Sequence, residues 1–312
     1  MGCSDGKTQD KSLGKNKGYP VCCLTIPIEA DISSAVALNS KTLILGGKNE
    51  LLSLDLTTKE TSVISKDIKG RINCLIKSPT GKIVSGGQYS GIKIWDIENK
   101  KAELTLEGHS SMIWDLAFIG QDKIISGSDD NTSKIFNLKD KKNENFYKGK
   151  KQISSVVVLD NNKILLASGK NVLLFNLDTK DQISVLDITV WPLLKLKNGN
   201  VAAGLGNGLL YILEITDEIN VKIQFPQGHK KAINSIIELE NNKIVTSSDE
   251  NDMILWDIAD PDSMYMLKGH NDYVTNLCLI EGNKFVSISK DKTLKIWEYI
   301  ILIGKSLANL LS

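Results

Sequence analysis

The stretch NDYVTNLCLIEGNKFVSISKDKTLKIWEY, residues 271–299, holds one complete unit of the pattern that runs through this chain. Its turns are Glu281-Gly282-Asn283 and the tighter Lys290-Asp291-Lys292. They separate three apolar, partly alternating stretches that predict strands: 273–280, 284–289 and 293–299. The third strand ends in an aromatic residue followed by an acid. The stretch therefore predicts a small antiparallel sheet rather than a helix.

The ending of this unit recurs seven times, at intervals of 38 to 43 residues. Each copy has an apolar or aromatic residue, then an acid or amide, then a second apolar or aromatic residue: Leu54-Asp55-Leu56, Trp95-Asp96-Ile97, Phe136-Asn137-Leu138, Phe175-Asn176-Leu177, Leu213-Glu214-Ile215, Trp256-Asp257-Ile258 and Trp297-Glu298-Tyr299. A fourth strand follows each ending, as at 101–106. A fixed period of this length indicates one supersecondary unit built repeatedly. Four short strands bury both faces only by stacking on neighbouring sheets.

Short dipeptides mark the ends of several units. Gly-His opens three of them, at Gly108-His109, Gly228-His229 and Gly269-His270, and Trp-Asp closes two, at Trp95-Asp96 and Trp256-Asp257. With these motifs, residues 21–299 resemble the WD-repeat β-propeller family. The resemblance implies an all-β fold, a seven-bladed β-propeller of four-stranded antiparallel blades. It also implies that an N-terminal strand, 21–28, closes the ring in the last blade. Residues 300–312 compete for that position, and we expect this tail to pack on the last blade.

The overall charge gives no reason to expect nucleic acid as a partner. There are 38 basic and 37 acidic residues, so the formal net charge is +1 and no general field steers the protein to polyanions. Arg71 is the only arginine, so we expect no arginine-type recognition of phosphate or carboxylate elsewhere in the chain. The apolar runs are too short to span a bilayer. Five cysteines without metal-ligand spacing favour a cytoplasmic protein with reduced thiols.

Three repeats carry a histidine, a hydroxyl and an acid at matching positions. The sets are His109, Ser126 and Asp130; His229, Thr246, Glu250 and Trp256; and His270, Ser287, Asp291 and Trp297. These residue types also make a serine-hydrolase triad, but one active site does not recur at a fixed period. The resemblance implies a buried hydrogen-bond network, shortened where Phe136 lacks an indole N–H. We therefore expect no enzyme activity, metal or cofactor.

The first residues carry a lipidation signal. Removal of Met1 would expose Gly2 for myristoylation, and Cys3 could then be palmitoylated. Gly6 stands where a serine or threonine is usual, and an ordinary flexible leader over 1–20 is the alternative. Four lysines in the leader would help adhesion to anionic lipid. Under the first interpretation, residues 1–20 contact a membrane surface.

Partners of the family bind mostly on the face that carries the loop before each inner strand and the tight turn between the second and third strands. Aligning the repeats places ten residues there: Arg71, Asn73, Tyr89, Met112, Trp114, Asp129, Trp191, Asp249, Tyr273 and Lys290. Surface aromatics and arginine dominate binding energies. The hypothesis is a hot spot that includes Trp114 and Trp191. The alternative is that these two tryptophans fill the central channel as packing.

The leading functional prediction is a non-catalytic scaffold or adaptor that binds one or more proteins or peptides, as a monomeric ring within a larger complex. Fold alone gives no more than this class. A substrate receptor of a ubiquitin ligase is one alternative, although Glu98 and Ala259 stand where such receptors often have arginine. A G-protein β-like subunit is another, although residues 1–20 lack a heptad pattern. A hydrolase with a propeller pocket is the third.

Overall fold

The computed structural model describes residues 19–300, which form 28 strands in seven four-stranded antiparallel sheets. Blades 1 to 3 contain β2 (Ile32–Asn39), β3 (Thr42–Gly47), β4 (Leu51–Asp55) and β5 (Thr61–Ser65); β6 (Ile72–Lys77), β7 (Ile83–Gly87), β8 (Ile92–Asp96) and β9 (Lys101–Leu106); and β10 (Ile113–Ile119), β11 (Lys123–Ser128), β12 (Thr132–Asn137) and β13 (Asn143–Lys148). Each blade is a simple meander from the inner to the outer strand.

Blades 4 to 7 repeat this order. They contain β14 (Ile153–Val158), β15 (Lys163–Ser168), β16 (Asn171–Asn176) and β17 (Gln182–Leu186); β18 (Val190–Lys195), β19 (Val201–Leu205), β20 (Leu210–Ile215) and β21 (Ile219–Gln224); β22 (Ile233–Glu238), β23 (Lys243–Ser248), β24 (Met253–Asp257) and β25 (Met264–Leu267); and β26 (Val274–Glu281), β27 (Lys284–Ser289), β28 (Thr293–Ile300) and β1 (Tyr19–Pro27). The expected all-β, seven-bladed propeller is confirmed.

An N-terminal strand closes the ring, as expected. β1 pairs with β28 from Tyr19 opposite Ile300 to Pro27 opposite Thr293, so the start of the described chain completes blade 7. β1 thus takes the place beside β28 for which the C-terminal stretch competes in sequence. The expectation for the tail from residue 301 onward, like that for the first 18 residues, lies outside the described residues.

The core consists of seven apolar clusters, each between two neighbouring blades of the described ring. The cluster between blades 7 and 1, for example, joins Ile26 of the closing strand to Leu43 and Val286. The cluster between blades 4 and 5 joins Leu165, Leu174 and others to Val201 and Leu213. Blades therefore bury their faces against each other, as stacked repeats must. No helix in residues 19–300 is long and apolar enough to cross a lipid bilayer.

A β-bulge follows the first residue of every inner strand. The register shifts between Ile32 and Ser34 in blade 1, and at the equivalent place in the other six blades. A bulge brings consecutive side chains to the same side of a strand. Side chains after the first apolar residue therefore gather near the channel and the next blade. We call the face with these strand entries and the turns between second and third strands the top face, and the opposite one the bottom face.

Candidate functional site

Blade 7 contains a continuous hydrogen-bond network beneath the top face. The Trp297 indole N–H donates to the Ser287 hydroxyl at 2.8 Å, and that hydroxyl lies 2.7 Å from Nε2 of His270. Nδ1 of His270 lies 2.9 Å from Asp291, which also accepts the backbone N–H of Asn271 at 2.9 Å. The network therefore links the loop that enters the blade, the second strand, the tight turn and the third strand.

Blade 6 has the same network with other residue types. The Trp256 indole donates to the Thr246 hydroxyl at 2.8 Å, and this hydroxyl lies 2.8 Å from Nε2 of His229. Nδ1 of His229 lies 3.2 Å from Glu250. The longer side chain of Glu250 thus places its carboxylate where Asp291 does in blade 7. The network therefore needs a carboxylate at this position, and either acidic residue can supply it.

Blade 3 has the shortened network expected from its phenylalanine. Nε2 of His109 lies 2.6 Å from the Ser126 hydroxyl and Nδ1 lies 2.8 Å from Asp130. Phe136 packs 5.8 Å from the histidine ring, centroid to centroid, and has no N–H to donate. The Ser126 hydroxyl lies 3.3 Å from the Lys134 carbonyl instead.

One protonation state satisfies these networks. A neutral histidine with its proton on Nδ1 donates to the acid, and its bare Nε2 accepts the serine or threonine hydroxyl, whose oxygen then accepts the indole N–H where there is one. Burial lowers the pKa of His109, His229 and His270, although their acids favour the charged form. Burial by itself would raise the pKa of Asp291, but the Thr293 hydroxyl, the Asn271 N–H and His270 lower it to about 2. The charged acid and neutral histidine match the geometry.

These Ser-His-Asp sets have hydrolase-like distances but no route for a substrate. The His270 side chain has no exposed surface, and Ser287 is also fully buried. The Ser287 oxygen accepts the Trp297 N–H on one side and contacts His270 on the other, so no space is left for an attacked carbonyl. Within residues 19–300, no three His, Cys, Asp or Glu side chains converge as a metal site.

Blade 2 contains a network that sequence analysis missed. Tyr89 was expected on the exposed face, but its hydroxyl donates to Ser85 at 2.6 Å, and the Trp95 indole donates to the same oxygen at 2.8 Å. Burial raises the pKa of the Tyr89 hydroxyl, which stays protonated. Tyr89 thus takes the place of histidine as the second partner of the hydroxyl, and it comes from the tight turn rather than from the loop that enters the blade. The signal was a Ser85–Trp95 pair in a repeat without histidine.

Blades 1, 4 and 5 replace the network with aliphatic packing. At the position of Ser85, Ser126, Thr246 and Ser287 they carry Leu45, Leu166 and Ala203, all fully buried. Their third strands end in Leu54, Phe175 and Leu213 rather than tryptophan. A buried hydroxyl needs a partner and an aliphatic side chain needs none, so the two kinds of blade are self-consistent alternatives.

Trp114 and Trp191 meet each other on the top face. Their rings touch edge to face at 5.1 Å, and the Trp114 N–H lies 3.4 Å from Asp129. Trp114 belongs to blade 3 and Trp191 to blade 5, so the pair reaches across blade 4, whose buried Ser154 lies at the equivalent bulge. Both tryptophans are half-buried. We call them the tryptophan pair.

The two basic members of the expected face, Arg71 and Lys290, belong to an ion cluster at the ring closure. Arg71 contacts Asp31 at 2.6 Å and Lys290 contacts the other oxygen of Asp31 at 2.7 Å. These residues come from blades 2, 1 and 7. Asp31 itself was missed because nothing in one repeat shows which residues from other blades will meet there. All three are partly exposed, so solvent screens the attraction strongly.

Of the other residues expected on the top face, Asn73 connects two blades, whereas Asp249, Met112 and Tyr273 are partly or fully exposed. The Asn73 amide donates to the Ile113 carbonyl of blade 3 at 3.0 Å, so it joins blades instead of facing outward. Asp249 is exposed and lies 3.4 Å from the Asn234 amide. Met112 is half-buried. Tyr273 is 44% exposed, with the Lys231 ammonium 4.7 Å from its ring centroid. Tyr273 thus offers the most open aromatic surface of the set.

A carboxylate that sequence analysis did not single out joins three blades near the channel. Asp115 of blade 3 accepts the Ser155 hydroxyl at 2.8 Å and the Val156 N–H at 2.9 Å, both from blade 4. The Ser155 oxygen in turn accepts the Leu193 N–H of blade 5 at 3.2 Å. Burial raises the pKa of Asp115 to about 6 against these hydrogen bonds. This chain of contacts lies under the tryptophan pair and fixes the relative position of the blades that carry it.

Comparison with known proteins places this fold among repeat propellers. The family model described as "WD domain, G-beta repeat" matches residues 61–96, 100–137 and 261–298. The solved WD40 beta propeller domain of Doa1 superposes with a TM-score of 0.78 at 18% identity, covering 89% of this chain and 97% of that one. At that identity the likeness concerns the fold alone.

Three curated relatives are 20 to 25% identical to parts of this chain. A p21-activated protein kinase-interacting protein 1-like of Danio rerio is 25% identical over 72% of this chain and 62% of its own length. The WD repeat-containing protein 55 of Arabidopsis thaliana is 24% identical over 61% and 56%. The E3 ubiquitin-protein ligase COP1 of the same plant is 20% identical over 64% and 25%. The chain thus covers less than two thirds of each relative.

Proposed function

Since the chain belongs to the WD-repeat β-propeller family, we propose that it is a non-catalytic scaffold that holds one or more proteins on its top face. A ring of seven mutually packed blades is a rigid platform. Rigid platforms bind without an ordering cost of their own, which favours recognition of partners that must be held in a defined position. Propellers of this family generally act in this way.

The observation that carries the proposal is the tryptophan pair. Trp114 and Trp191 are half-buried, and the repeat does not require an aromatic residue at either position. The two rings contact each other across blade 4 and keep part of their surface exposed, and Tyr273 and Arg71 lie on the same face. Tryptophan, tyrosine and arginine are the residues that most often dominate interface energies. A protein segment that covers these rings would bury apolar surface that now contacts water.

The non-catalytic part of the proposal rests on burial. The only recurring acid–base–hydroxyl sets of the described residues are enclosed within blades 3, 6 and 7, where they connect strands. The histidines stay neutral and point away from solvent. A search for turnover in purified protein that found an activity abolished by His270→Ala, with folding intact, would overturn this part.

Two relatives suggest where to look for partners. One is named for interaction with p21-activated protein kinase, so a protein kinase is a first candidate partner class. Another is a ubiquitin ligase, but only a quarter of its length is matched, and Glu98 and Ala259 do not offer the arginine common in one class of ligase receptors. We therefore place the substrate-receptor role, and the G-protein β-like role, behind a general scaffold.

We extend the proposal to a cytoplasmic protein tethered to a membrane through Gly2 and Cys3, which lie outside the described residues. Support comes from the course of the terminal strands. Tyr19 and Ile300 are paired at the bottom end of blade 7, opposite the top face. A lipid on the leader would therefore attach the bottom side and leave the tryptophan pair open. A Gly2→Ala variant should move from the membrane to the soluble fraction, and wild type already fully soluble in cells would end the idea.

Quantitative affinity capture from the native cell tests the scaffold. The tagged wild type is compared with an Arg71→Ala, Trp114→Ala, Trp191→Ala variant that shows a normal thermal transition. We expect a defined set of proteins to be lost with the variant, because truncating hot-spot residues costs about 2 kcal/mol or more each.

The matched control is a variant with three exposed outer-strand residues changed, Val63→Ala, Val185→Ala and Val221→Ala, which leaves the top face intact. Loss of the same proteins in this control would assign binding to the side of the ring. Retention of every protein by the top-face variant would instead make the tryptophans channel packing.

A further inference from the structure

The top of blade 4 carries several lysines and lacks the histidine and acid of blades 3, 6 and 7. The loop that enters this blade reads Lys148-Gly149-Lys150-Lys151-Gln152, without the histidine of blades 3, 6 and 7. Its tight turn is Gly169-Lys170, where blade 3 has Asp129-Asp130-Asn131. Where other blades place a buried histidine and an acid, blade 4 thus presents lysines to solvent.

Packing brings the four lysines into one patch. The Gly149 N–H donates to the Asn131 carbonyl of blade 3 at 2.9 Å, which fixes the loop beside the neighbouring turn. The Ser168 hydroxyl donates to the Lys151 carbonyl at 3.4 Å. A Cβ atom on Gly169 would lie 2.9 Å from Lys151 Cγ, so the Lys151 stem rests on the turn that carries Lys170.

No carboxylate of the described residues forms an ion pair with this patch, and Asp129 and Asp130 of the neighbouring turn contact Trp114 and His109 instead. Lys148, Lys150, Lys151 and Lys170 are all exposed, and none forms an ion pair with another part of residues 19–300. The sequence has no acid between Glu144 and Asp160, or between Asp160 and Asp178. Asp160 contacts Lys195 and Asp178 accepts the Asn162 amide, both toward the bottom face. We call the four residues the lysine corner.

The lysine corner adjoins apolar ring surface. The tryptophan pair brackets the inner strand of blade 4, and that strand begins at Ile153, two residues after Lys151. Four unpaired positive charges next to two half-buried indoles form a surface with both an electrostatic and an apolar component. Such a surface suits a ligand that is negative along one part and apolar at the next.

We infer that the lysine corner and the tryptophan pair together bind an acidic protein segment, a run of aspartate or glutamate residues followed by an apolar anchor. The inference rests on the scaffold proposal and names the chemistry of its partner. Carboxylates would pair with the lysines, and the anchor would pack on Trp114 and Trp191. Electrostatic complementarity of this kind raises the association rate and selects the partner.

Three observations favour an acidic peptide over nucleic acid or a membrane. The corner contains no arginine, whose planar guanidinium stacks on bases and reads guanine edges. The top face outside the corner carries acids such as Asp129, Asp249 and Asp272, which a long polyanion would meet. The two indoles contact each other, so they offer a joint apolar surface rather than separate faces for stacking bases.

Fluorescence polarisation with the purified chain tests the inference. The probe is a labelled peptide with a run of glutamates followed by two leucines, and its control has glutamines in place of the glutamates. We expect saturable binding of the acidic peptide that weakens as salt rises, and much weaker binding of the neutral one. Charge reversal by Lys148→Glu, Lys150→Glu, Lys151→Glu and Lys170→Glu should weaken binding at least about tenfold.

The matched control reverses four exposed lysines on the bottom face instead: Lys100→Glu, Lys101→Glu, Lys141→Glu and Lys142→Glu. It has the same net charge as the first variant and should keep the wild-type affinity. A milder variant with glutamine at the four corner positions covers the case in which charge reversal disturbs folding. Equal loss in both charge-reversed variants would overturn the inference, since a general field and not the corner would then attract the peptide.

Two further probes separate other anions. A labelled uridine oligonucleotide, or phosphatidylserine vesicles, bound more tightly than the acidic peptide and lost with the corner variant would overturn the inference in favour of those ligands. Absence of acidic-peptide binding to wild type would also overturn it. The scaffold proposal stands or falls separately, because cellular capture that depends on the tryptophan pair does not require an acidic partner.

Discussion

Blades 7 and 4 reach the same fold by opposite means. Blade 7 connects its strands through Trp297, Ser287, His270 and Asp291, whereas blade 4 has Leu166 in place of the hydroxyl and packs Phe175 on two neighbouring rings, Phe146 at 5.5 Å and Tyr147 at 5.1 Å. Hydrogen bonds constrain the direction and distance between their donor and acceptor atoms, while apolar packing mainly requires side chains of the right volume. The comparison shows that a blade packed by apolar side chains does not require a histidine and an acid on its top loops.

The top loops of a blade without the network can therefore carry residues that serve binding. The top loops of blade 7 are committed to holding His270 and Asp291 in place. The loops of blade 4 need not bury polar groups, and they carry the lysine corner instead. A repeat without the Gly-His and Trp-Asp dipeptides therefore presents a lysine-rich surface next to the tryptophan pair. Structure and binding are assigned to different blades of one ring.

The largest expected effect comes from placing a network residue in the wrong kind of blade. Leu166→Ser in blade 4 leaves a cavity and buries a hydroxyl with no histidine or indole to bond. We expect a loss of about 4 kcal/mol in the free energy of unfolding, measured by urea denaturation. Leu166→Met, which conserves volume, should lose less than about 1.5 kcal/mol. A loss for Leu166→Ser no greater than that of Leu166→Met would contradict the apolar account of blade 4.

The next effect comes from breaking the network in blade 7. His270→Ala removes a partner from both Ser287 and Asp291, and we expect a loss of about 2 to 3 kcal/mol with a matching fall in the thermal midpoint. Lys150→Ala, from the equivalent loop of blade 4, should change stability by less than about 0.5 kcal/mol. If the two variants were equally stable, the network in blade 7 would make no measurable contribution to the free energy of unfolding.

A smaller effect is expected in blade 2, where Tyr89 replaces histidine. Tyr89→Phe removes one donor to Ser85 but keeps the ring and the Trp95 bond to the same oxygen. The expected loss is about 1 kcal/mol by urea denaturation. Ser85→Ala, which leaves both donors without their acceptor, should lose more. The reverse order would show that the tyrosine hydroxyl does not depend on Ser85.

The smallest effect is the pH dependence that comes from the buried histidines of the networked blades. The pKa of His270 is lowered by burial from 6.5, so the unfolded chain takes up protons first as pH falls. The stability that neutral His270 provides is therefore lost progressively as pH drops below about 6.5. The raised pKa of Asp115, about 6, acts in the opposite direction, with stability lost as pH rises through it.

The difference between wild type and His270→Gln isolates the histidine. Urea midpoints measured on both sides of pH 6.5 should converge toward the acidic side, because wild type alone loses the buried neutral ring. Lys150→Gln in blade 4 should run parallel to wild type at all pH values. A constant gap between wild type and the histidine variant would show that His270 has an ordinary pKa in the folded protein.

Much of this fold could be predicted from sequence because each repeat has the same strand and turn pattern. Seven endings at a regular spacing gave the seven blades, and the stretch before the first repeat gave the closing strand. The companions of His109, His229 and His270 follow from the alignment of the repeats, since equivalent positions meet the same neighbours.

What could not be predicted involves contacts between different repeats or the direction of one side chain. Trp114 meets Trp191 across an intervening blade, and Arg71 meets Lys290 through Asp31 at the ring closure. Alignment of repeats carries no information on such distances. Tyr89 lies in a turn, as expected, but its hydroxyl points inward because Ser85 offers an acceptor there. The Ser85–Trp95 pair in a repeat without histidine was the available signal.

The most direct test of the account measures stability and binding on the same two proteins, His270→Ala and the charge-reversed lysine corner. The binding partner is one captured by wild type from the cell, and the readouts are its Kd and the thermal midpoint. The account predicts that His270→Ala lowers the midpoint and keeps the Kd within about twofold, while the corner variant keeps the midpoint and loses affinity at least about tenfold. Loss of binding in His270→Ala with an unchanged midpoint would contradict the assignment of structure to the networks and recognition to blade 4.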